Sequence, residues 1–438
     1  MKRMEKAAVL LGAVFLFFAV TGNFQLAAGG GSEKSGGGDG KATPINFWLD
    51  NEIHQRYFQA GVDDWNARNP ARQAAVNFEH YPTQELSNKL LMSVQSGAGA
   101  PDIADININN FANFLKGKPQ LAPLDRIVNP VRSQFVSSRF DCYSKNGVVY
   151  GLPTHVGATV VYYNKSLTDL AGIDIDKIET WDQFEAAGKA YVAKTGKPFV
   201  GVETANQRPF WPMIVQRGGD YLDKNGNVVL DSQINIEVLQ RLNRWLNVDK
   251  IAGTLPGGAT STEECFAFIN QGGIAALIMP MWYMSRFLSY MPDLEGKIYL
   301  RPMPVQNASD ARSAGIGGTG TAVTLQSKVQ DLAIDLLGHL KLTRESNIRI
   351  WEVAAFDPPR WDIWETPQLQ KSIAYFGNEK VFDMLYRFKD NIPSPNYGDL
   401  SADAQTVVMN TVMYQALVQK QDPATVLRNA AAELRAKQ

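Results

Sequence analysis

From Ile45 to the C-terminus, short apolar or β-branched runs alternate with stretches of helical periodicity. This alternation constrains the fold more than any other feature, because strands separated by helices bury best as an α/β architecture with mostly parallel pairing. Ile45–Leu49, Pro101–Ile106, Val156–Tyr163, Ile274–Met279 and Thr321–Leu325 read as strands. Val156–Tyr163 is almost wholly apolar or β-branched, as a strand covered on both faces requires. Leu86, Leu90, Leu91 and Val94 fall on one helical face. Thr180-Trp181-Asp182-Gln183 is a capping box that opens a helix burying Phe184, Ala187 and Tyr191. Asn146-Gly147 and Asn225-Gly226 are hairpin turns. Asp422-Pro423 starts a last amphipathic helix through Val426, Leu427, Ala430, Ala431 and Leu434. In open α/β sheets ligands sit beyond the C-terminal ends of the strands, so the residues just after each strand are the first candidates for a site.

Composition narrows the function. The 438 residues carry 43 Lys and Arg against 44 Asp and Glu, so no basic excess exists to neutralise phosphates, and nucleic acid is not the expected partner. Cys142 and Cys265 cannot build a disulfide framework or a zinc site. His54, His80, His155 and His339 are scattered, so neither a metal nor a cofactor is expected. Tyr162-Tyr163 lies inside an apolar strand rather than in an iron site. No Gly-x-Ser-x-Gly or His-Glu-x-x-His occurs, which argues against two common hydrolase classes.

The N-terminus reads as an export signal. Lys2, Arg3 and Lys6 precede the apolar run Ala7–Val20, which is short for a membrane span, and small residues follow at Ala27-Ala28-Gly29. Residues 1–28 are the expected signal peptide and 29–43 a Gly/Ser-rich tether. Bacterial lipoproteins share this layout but carry Cys where Gly29 stands, so anchored and released forms both stay open. Export makes a Cys142–Cys265 bond conceivable without fixing it.

Six segments together carry a resemblance: Gly99-Ala100-Pro101-Asp102-Ile103, Leu121-Ala122-Pro123-Leu124-Asp125, Gly147-Val148-Val149-Tyr150-Gly151-Leu152-Pro153, Tyr162-Tyr163-Asn164-Lys165-Ser166-Leu167, Thr180-Trp181-Asp182-Gln183-Phe184 and Gln326-Ser327-Lys328. In order and spacing they resemble the family 1 extracellular solute-binding proteins of ABC importers, the maltose-binding protein class. The resemblance implies a two-lobe periplasmic-binding-protein type II fold with a hinge crossed three times, near residues 153–156, 305–315 and 343–347. Lobe I is then 44–154 with 312–344, and lobe II 155–311 with 345–438. It also implies a monomer, exported to the periplasm or the outer face of the cytoplasmic membrane. Such a protein is not an enzyme: it captures a mono- or oligosaccharide between its lobes and delivers it to permease subunits.

Candidate ligand contacts follow from strand ends and from the resemblance. Trp48, Asp50 and Asn51 stand at the end of the first strand, and Asp105 and Asn107 at the end of the second. A carboxylate can accept two sugar hydroxyls with charge-assisted strength. His155 stands at the first crossing. The resemblance places aromatics beside the ligand at Trp211 and at Trp282, which follows Pro280, and a basic residue at Arg360 in Asp357-Pro358-Pro359-Arg360-Trp361. Gly318 and Thr319 offer backbone donors, and Trp361 adds stacking surface. Aromatic rings cover the C–H face of a sugar while polar groups take its hydroxyls. A polyamine or peptide ligand, or an exported glycosidase, is the alternative; acid-rich walls would favour the polyamine, whereas these residues are aromatic with mixed charges.

Overall fold

Ile45, Phe47 and Leu49 point into a core while Asn46 stays exposed, and this alternation places the first strand, β1, at Thr43–Leu49. In the computed structural model, which describes residues 42–438, the other strands are β2 (Ala74–His80), β3 (Ile103–Asn107), β4 (Ser144–Lys145), β5 (Val148–Val149), β6 (Leu152–Pro153), β7 (Thr159–Asn164), β8 (Val200–Val202), β9 (Ala252–Thr254), β10 (Ala276–Pro280), β11 (Ile298–Pro302) and β12 (Thr319–Val323). The expected signal peptide at 1–28 and the tether through residue 41 lie outside the described residues. Thr43, at the tether's expected end, already pairs with Ala74.

Two five-stranded sheets result, in the orders β2-β1-β3-β12-β6 and β11-β7-β10-β8-β9. Mostly parallel pairing was the expectation, and it needs correction. β1–β2, β1–β3, β8–β10 and β8–β9 are parallel, but β3–β12, β6–β12, β7–β10 and β7–β11 are antiparallel. The reason is topological. β7 and β12 each enter their sheet from the other one, so no local strand–helix–strand crossover imposes a parallel direction on them.

Local signals hold. Thr180 accepts from Gln183 N and Gln183 caps back, opening the helix Trp181–Thr195. Asp422 caps the helix Pro423–Arg435, whose Val426, Leu427, Ala430, Ala431 and Leu434 are all buried. Asn146 (φ 52°) and Gly147 (φ 79°) turn the β4–β5 hairpin. Both sheets are covered on both faces. Phe47 and Ile103 enter one cluster and Trp48 and Ala104 another; Val161 and Tyr163 enter a third and Val160 and Tyr162 a fourth. Tyr162 and Tyr163 therefore point to opposite faces. Cys142 and Cys265 are free and sit in different clusters.

The chain passes between the sheets after β6, after β11 and once more near the C-terminal third. The last passage was expected at 343–347. Thr343 does break the chain there, capping the helix Arg344–Ala354. Yet Ile350, Ala354 and Phe356 pack with Phe47, Tyr57 and Phe58 of the first sheet's core, whereas Ile363 and Trp364 belong to the second sheet's. Ile348 and Trp351 of the same helix pack against the second sheet's core, so the helix Arg344–Ala354 is shared between the two.

All three passages are stitched together. Val156 N donates to Asp357 O at 2.9 Å, Ala158 N to Asp357 Oδ2 at 2.7 Å, and Ile316 N to Gly157 O at 2.9 Å. Gly157 has φ +67°, and a Cβ there would run into the Ile316 carbonyl oxygen. Gly157→Ala is expected to cost about 1–2 kcal/mol from the left-handed backbone alone. Chemical denaturation checks this: an unchanged midpoint would mean that the passage accommodates a side chain.

Candidate functional site

The ends of β1 and β3 in the first sheet and of β8 and β10 in the second converge on one cavity of about 280 Å³. On the first side Asn51 caps the helix Glu52–Arg68, its side chain accepting from Ile53 N at 2.9 Å, and Asp50 Oδ2 accepts from Thr83 Oγ1 at 2.7 Å. Burial pushes the Asp50 carboxyl up, with Thr83 pulling it back and the Asp105 charge adding to the rise. Asn107 caps the turn after β3 by accepting from Asn109 N at 3.0 Å. Gly317 (φ 81°) and Gly318 (φ 114°) lead into β12, where a Cβ on Gly318 would press on Arg139 and His155.

Thr319 also lines the cavity, but its hydroxyl is engaged. It lies 2.6 Å from the Thr154 hydroxyl, which in turn accepts from Lys341 Nζ at 2.6 Å. Burial pushes the Lys341 ammonium down to about 8, and the Asp105 charge opposes this. His155 lies 3.9 Å from Asp357 by Nδ1···Oδ1, outside hydrogen-bond reach, with its ring edge on Phe356. Burial, with the charges of Arg139, His54 and Lys341, keeps His155 neutral. Burial raises the Asp357 carboxyl to about 7 despite its bonds from backbone N–H groups.

From the second sheet come Gln207, Arg208 and Trp211 after β8, and Trp282 and Arg286 after β10. Trp282 is half-buried, donates from Nε1 to Ile316 O at 3.1 Å, and has the Arg208 guanidinium 5.3 Å from its ring centre. Trp211 walls the cavity but has one face stacked on Tyr221 at 5.2 Å, and its Nε1 donates to Asp220. It offers less stacking surface than Trp282.

Of the expected contacts, Asp50, Asn51, Asn107, His155, Trp211, Trp282, Gly318 and Thr319 line this cavity. Four do not, and each has a physical reason. Trp48 is buried edge-to-face against Tyr81, with Lys89 Nζ 4.7 Å from its ring. Asp105 lies within β3 rather than after it; it is fully buried, bonded to His54 Nδ1 at 2.6 Å and Thr321 Oγ1 at 2.7 Å, and His54 takes its place on the wall. Arg360 spends its guanidinium on Asp362, Gln134 and Leu342 O. Trp361 donates to Ser133 O and packs with the second sheet's core, and Lys389 sits over its ring.

His54, Thr83, Gln207, Arg208 and Arg286 escaped the sequence reading. Thr83 and Arg208 follow strands, and Arg286 stands four residues after Trp282, so the strand-end rule and helical spacing were the available signals. A larger cavity of about 720 Å³, around Arg301, Glu379 and Arg387, contains none of these residues and draws on one sheet only.

Residues 51–343 match the family model of the bacterial extracellular solute-binding protein. The chain is 43% identical over 395 residues to an arabinooligosaccharide-binding protein of Halalkalibacterium halodurans, spanning 89% of this chain and 88% of that one. It is 41% identical over 416 residues to an arabinooligosaccharide-binding protein of Bacillus subtilis, spanning 94% and 96%. Its fold is similar to that of the sugar-binding protein MalE from Xanthomonas citri, with a TM-score of 0.77 at 18% identity over 90% of this chain and 98% of that one.

Proposed function

The chain belongs to the bacterial extracellular solute-binding proteins, and from that premise we propose that it captures an arabinooligosaccharide for an ABC importer. What supports this ligand is the identity above 40%, across about nine-tenths of the chain, to two proteins named for it. The cavity supports the mode of action. Its walls come from both sheets, so a ligand that touches both favours the form in which they approach, and only such differential affinity shifts a conformational equilibrium. Hinge closure around a ligand is established for periplasmic binding proteins.

In this reading residues 42–154 with 318–356 form one lobe, and 155–317 with 357–438 the other. The stitched segments at 154–158, 303–317 and 357–362 form the hinge. The protein acts outside the cytoplasmic membrane as a monomer and hands its closed form to permease subunits. It releases the sugar unaltered.

A thermal-shift panel of arabinotriose, maltotriose, lactose and spermidine tests the ligand. Arabinotriose is expected to raise stability by about 1.4 kcal/mol at tenfold excess over Kd, since a ligand bound only by the native state adds RT ln(1 + [L]/Kd). A shift with spermidine alone, or with maltotriose but not arabinotriose, would reject the assignment. Chromatography of the incubated sugar should show it intact; cleavage products would reject the binding role.

A further inference from the structure

Glu203 is buried directly after β8 and does not line the cavity, yet its carboxylate gathers the second sheet's side of the site. It accepts from Arg208 N at 2.9 Å and from Arg208 Nη1 at 3.3 Å, while its own N–H donates to Arg208 O at 3.0 Å, closing the 203–208 turn. It also accepts from Thr260 N at 2.9 Å and Thr260 Oγ1 at 2.7 Å. Thr260 O accepts from Tyr283 OH at 2.7 Å, and Tyr283 is the chain neighbour of Trp282. One carboxylate therefore braces both the guanidinium and, through Thr260 and Tyr283, the segment that carries the indole beneath it.

We propose that Glu203 is a positioning residue that fixes Arg208 over Trp282, so that guanidinium and indole act as one reader of the sugar. This rests on the reading of the cavity as a saccharide site. Arg208 Nη2 makes no hydrogen bond among the described residues and is left for the cavity that the side chain lines. A planar guanidinium with a fixed orientation donates parallel N–H groups to two neighbouring oxygens, which an ammonium cannot do. The cation beside the ring also sets which part of the indole face a sugar can cover. Glu203 thereby converts an Arg with many rotamers into a guanidinium whose free Nη2 donors have a defined direction, and selectivity among sugars follows from that direction.

The test uses the full chain and two readouts. In the ligand-free protein, the Arg208 Nε–H resonance, identified by its disappearance in Arg208→Lys, is expected to shift or broaden in Glu203→Gln. Calorimetry with arabinotriose is expected to show about tenfold weaker binding in Glu203→Gln and in Arg208→Lys. Arg208→Lys should keep the wild-type unfolding midpoint, and added guanidinium should restore part of the affinity lost in Arg208→Ala. A merely structural role gives no such rescue. An unmoved Arg208 resonance in Glu203→Gln, or wild-type affinity in Arg208→Lys, overturns the proposal. If Glu203→Gln does not fold, the Arg208 variants and the rescue decide it. If arabinotriose fails to bind the wild type, the ligand assignment falls by itself, and the resonance still decides whether Glu203 holds the guanidinium.

Discussion

Asp105→Ala is expected to lower folding stability by about 3–5 kcal/mol at pH 7, measured by chemical denaturation with an unchanged m-value. The magnitude follows from what the carboxylate leaves behind. It is fully buried and bonded to His54 Nδ1 and Thr321 Oγ1, and it is the carboxylate that opposes desolvation of the buried Lys341. Removing it strands an ammonium, an imidazole and a hydroxyl in the core, and an uncompensated buried charge costs far more than a lost surface pair. Burial alone would push the Asp105 carboxyl up, but the charge and hydrogen bond of His54, with Lys341 and Thr321, hold it well below the usual carboxylate range. A carboxyl depressed in the folded state adds stability above its unfolded pKa of about 3.9 and loses it as pH falls through the folded value. The gap between wild type and variant should therefore be full at pH 7 and narrow below about pH 4. A variant with wild-type stability at pH 7 would show that the network carries no net energy. Asp105 does not line the cavity, so affinity for arabinotriose should change less than stability does.

That prediction departs from the sequence expectation, which put Asp105 against the ligand. Whatever depends on neighbours in the chain was legible: the capping box at Thr180–Gln183, the Asn146-Gly147 turn and the strand at Ile45–Leu49. Asp50 and Asn51, just past the end of β1, and Asn107, the last residue of β3, were legible as cavity-lining positions because the strand ends face the crevice. Asp105 was not: it shares a strand face with Asn107 but lies two residues deeper in β3, where His54 and Thr321 enclose its carboxylate. The pairing direction of β7 and β12 depends on which sheet the chain is leaving, and no local pattern records that. The break at Thr343 was visible, but the helix after it packs Ile350 and Ala354 into the first sheet's core and Ile348 and Trp351 against the second's, so the chain changes sides along a helix rather than at one residue. Arg360 sits in a segment where the resemblance implied a ligand contact; here Asp362, two residues on, binds its guanidinium instead.

Trp282→Ala is expected to weaken arabinotriose binding by about 2–4 kcal/mol, roughly thirty- to several-hundred-fold, with the fold intact. The indole is half-buried at the cavity after β10, whereas Trp211 has a face committed to Tyr221 and Trp48 is packed against Tyr81. Two effects combine in the loss. One is the stacking surface, worth about 0.5–1.5 kcal/mol beyond the area it buries. The other is the bond from Trp282 Nε1 to Ile316 O, which ties the second lobe's aromatic to the passage leading into β12. Trp282→Phe helps to separate them: it keeps a six-membered ring over the sugar and deletes the N–H donor with the pyrrole half of the indole, so it should lose about 0.5–1.5 kcal/mol. If Phe loses as much as Ala, the hinge bond outweighs stacking and closure rather than contact sets the affinity. If Phe stays near wild type while Ala makes the binding heat capacity less negative, the buried ring carries the energy, as expected when apolar surface leaves water on binding. An Ala variant with wild-type affinity would remove Trp282 from the site. The guanidinium of Arg208 would then rest on a ring that no ligand covers, and the pairing of fork and face would serve only the unliganded protein.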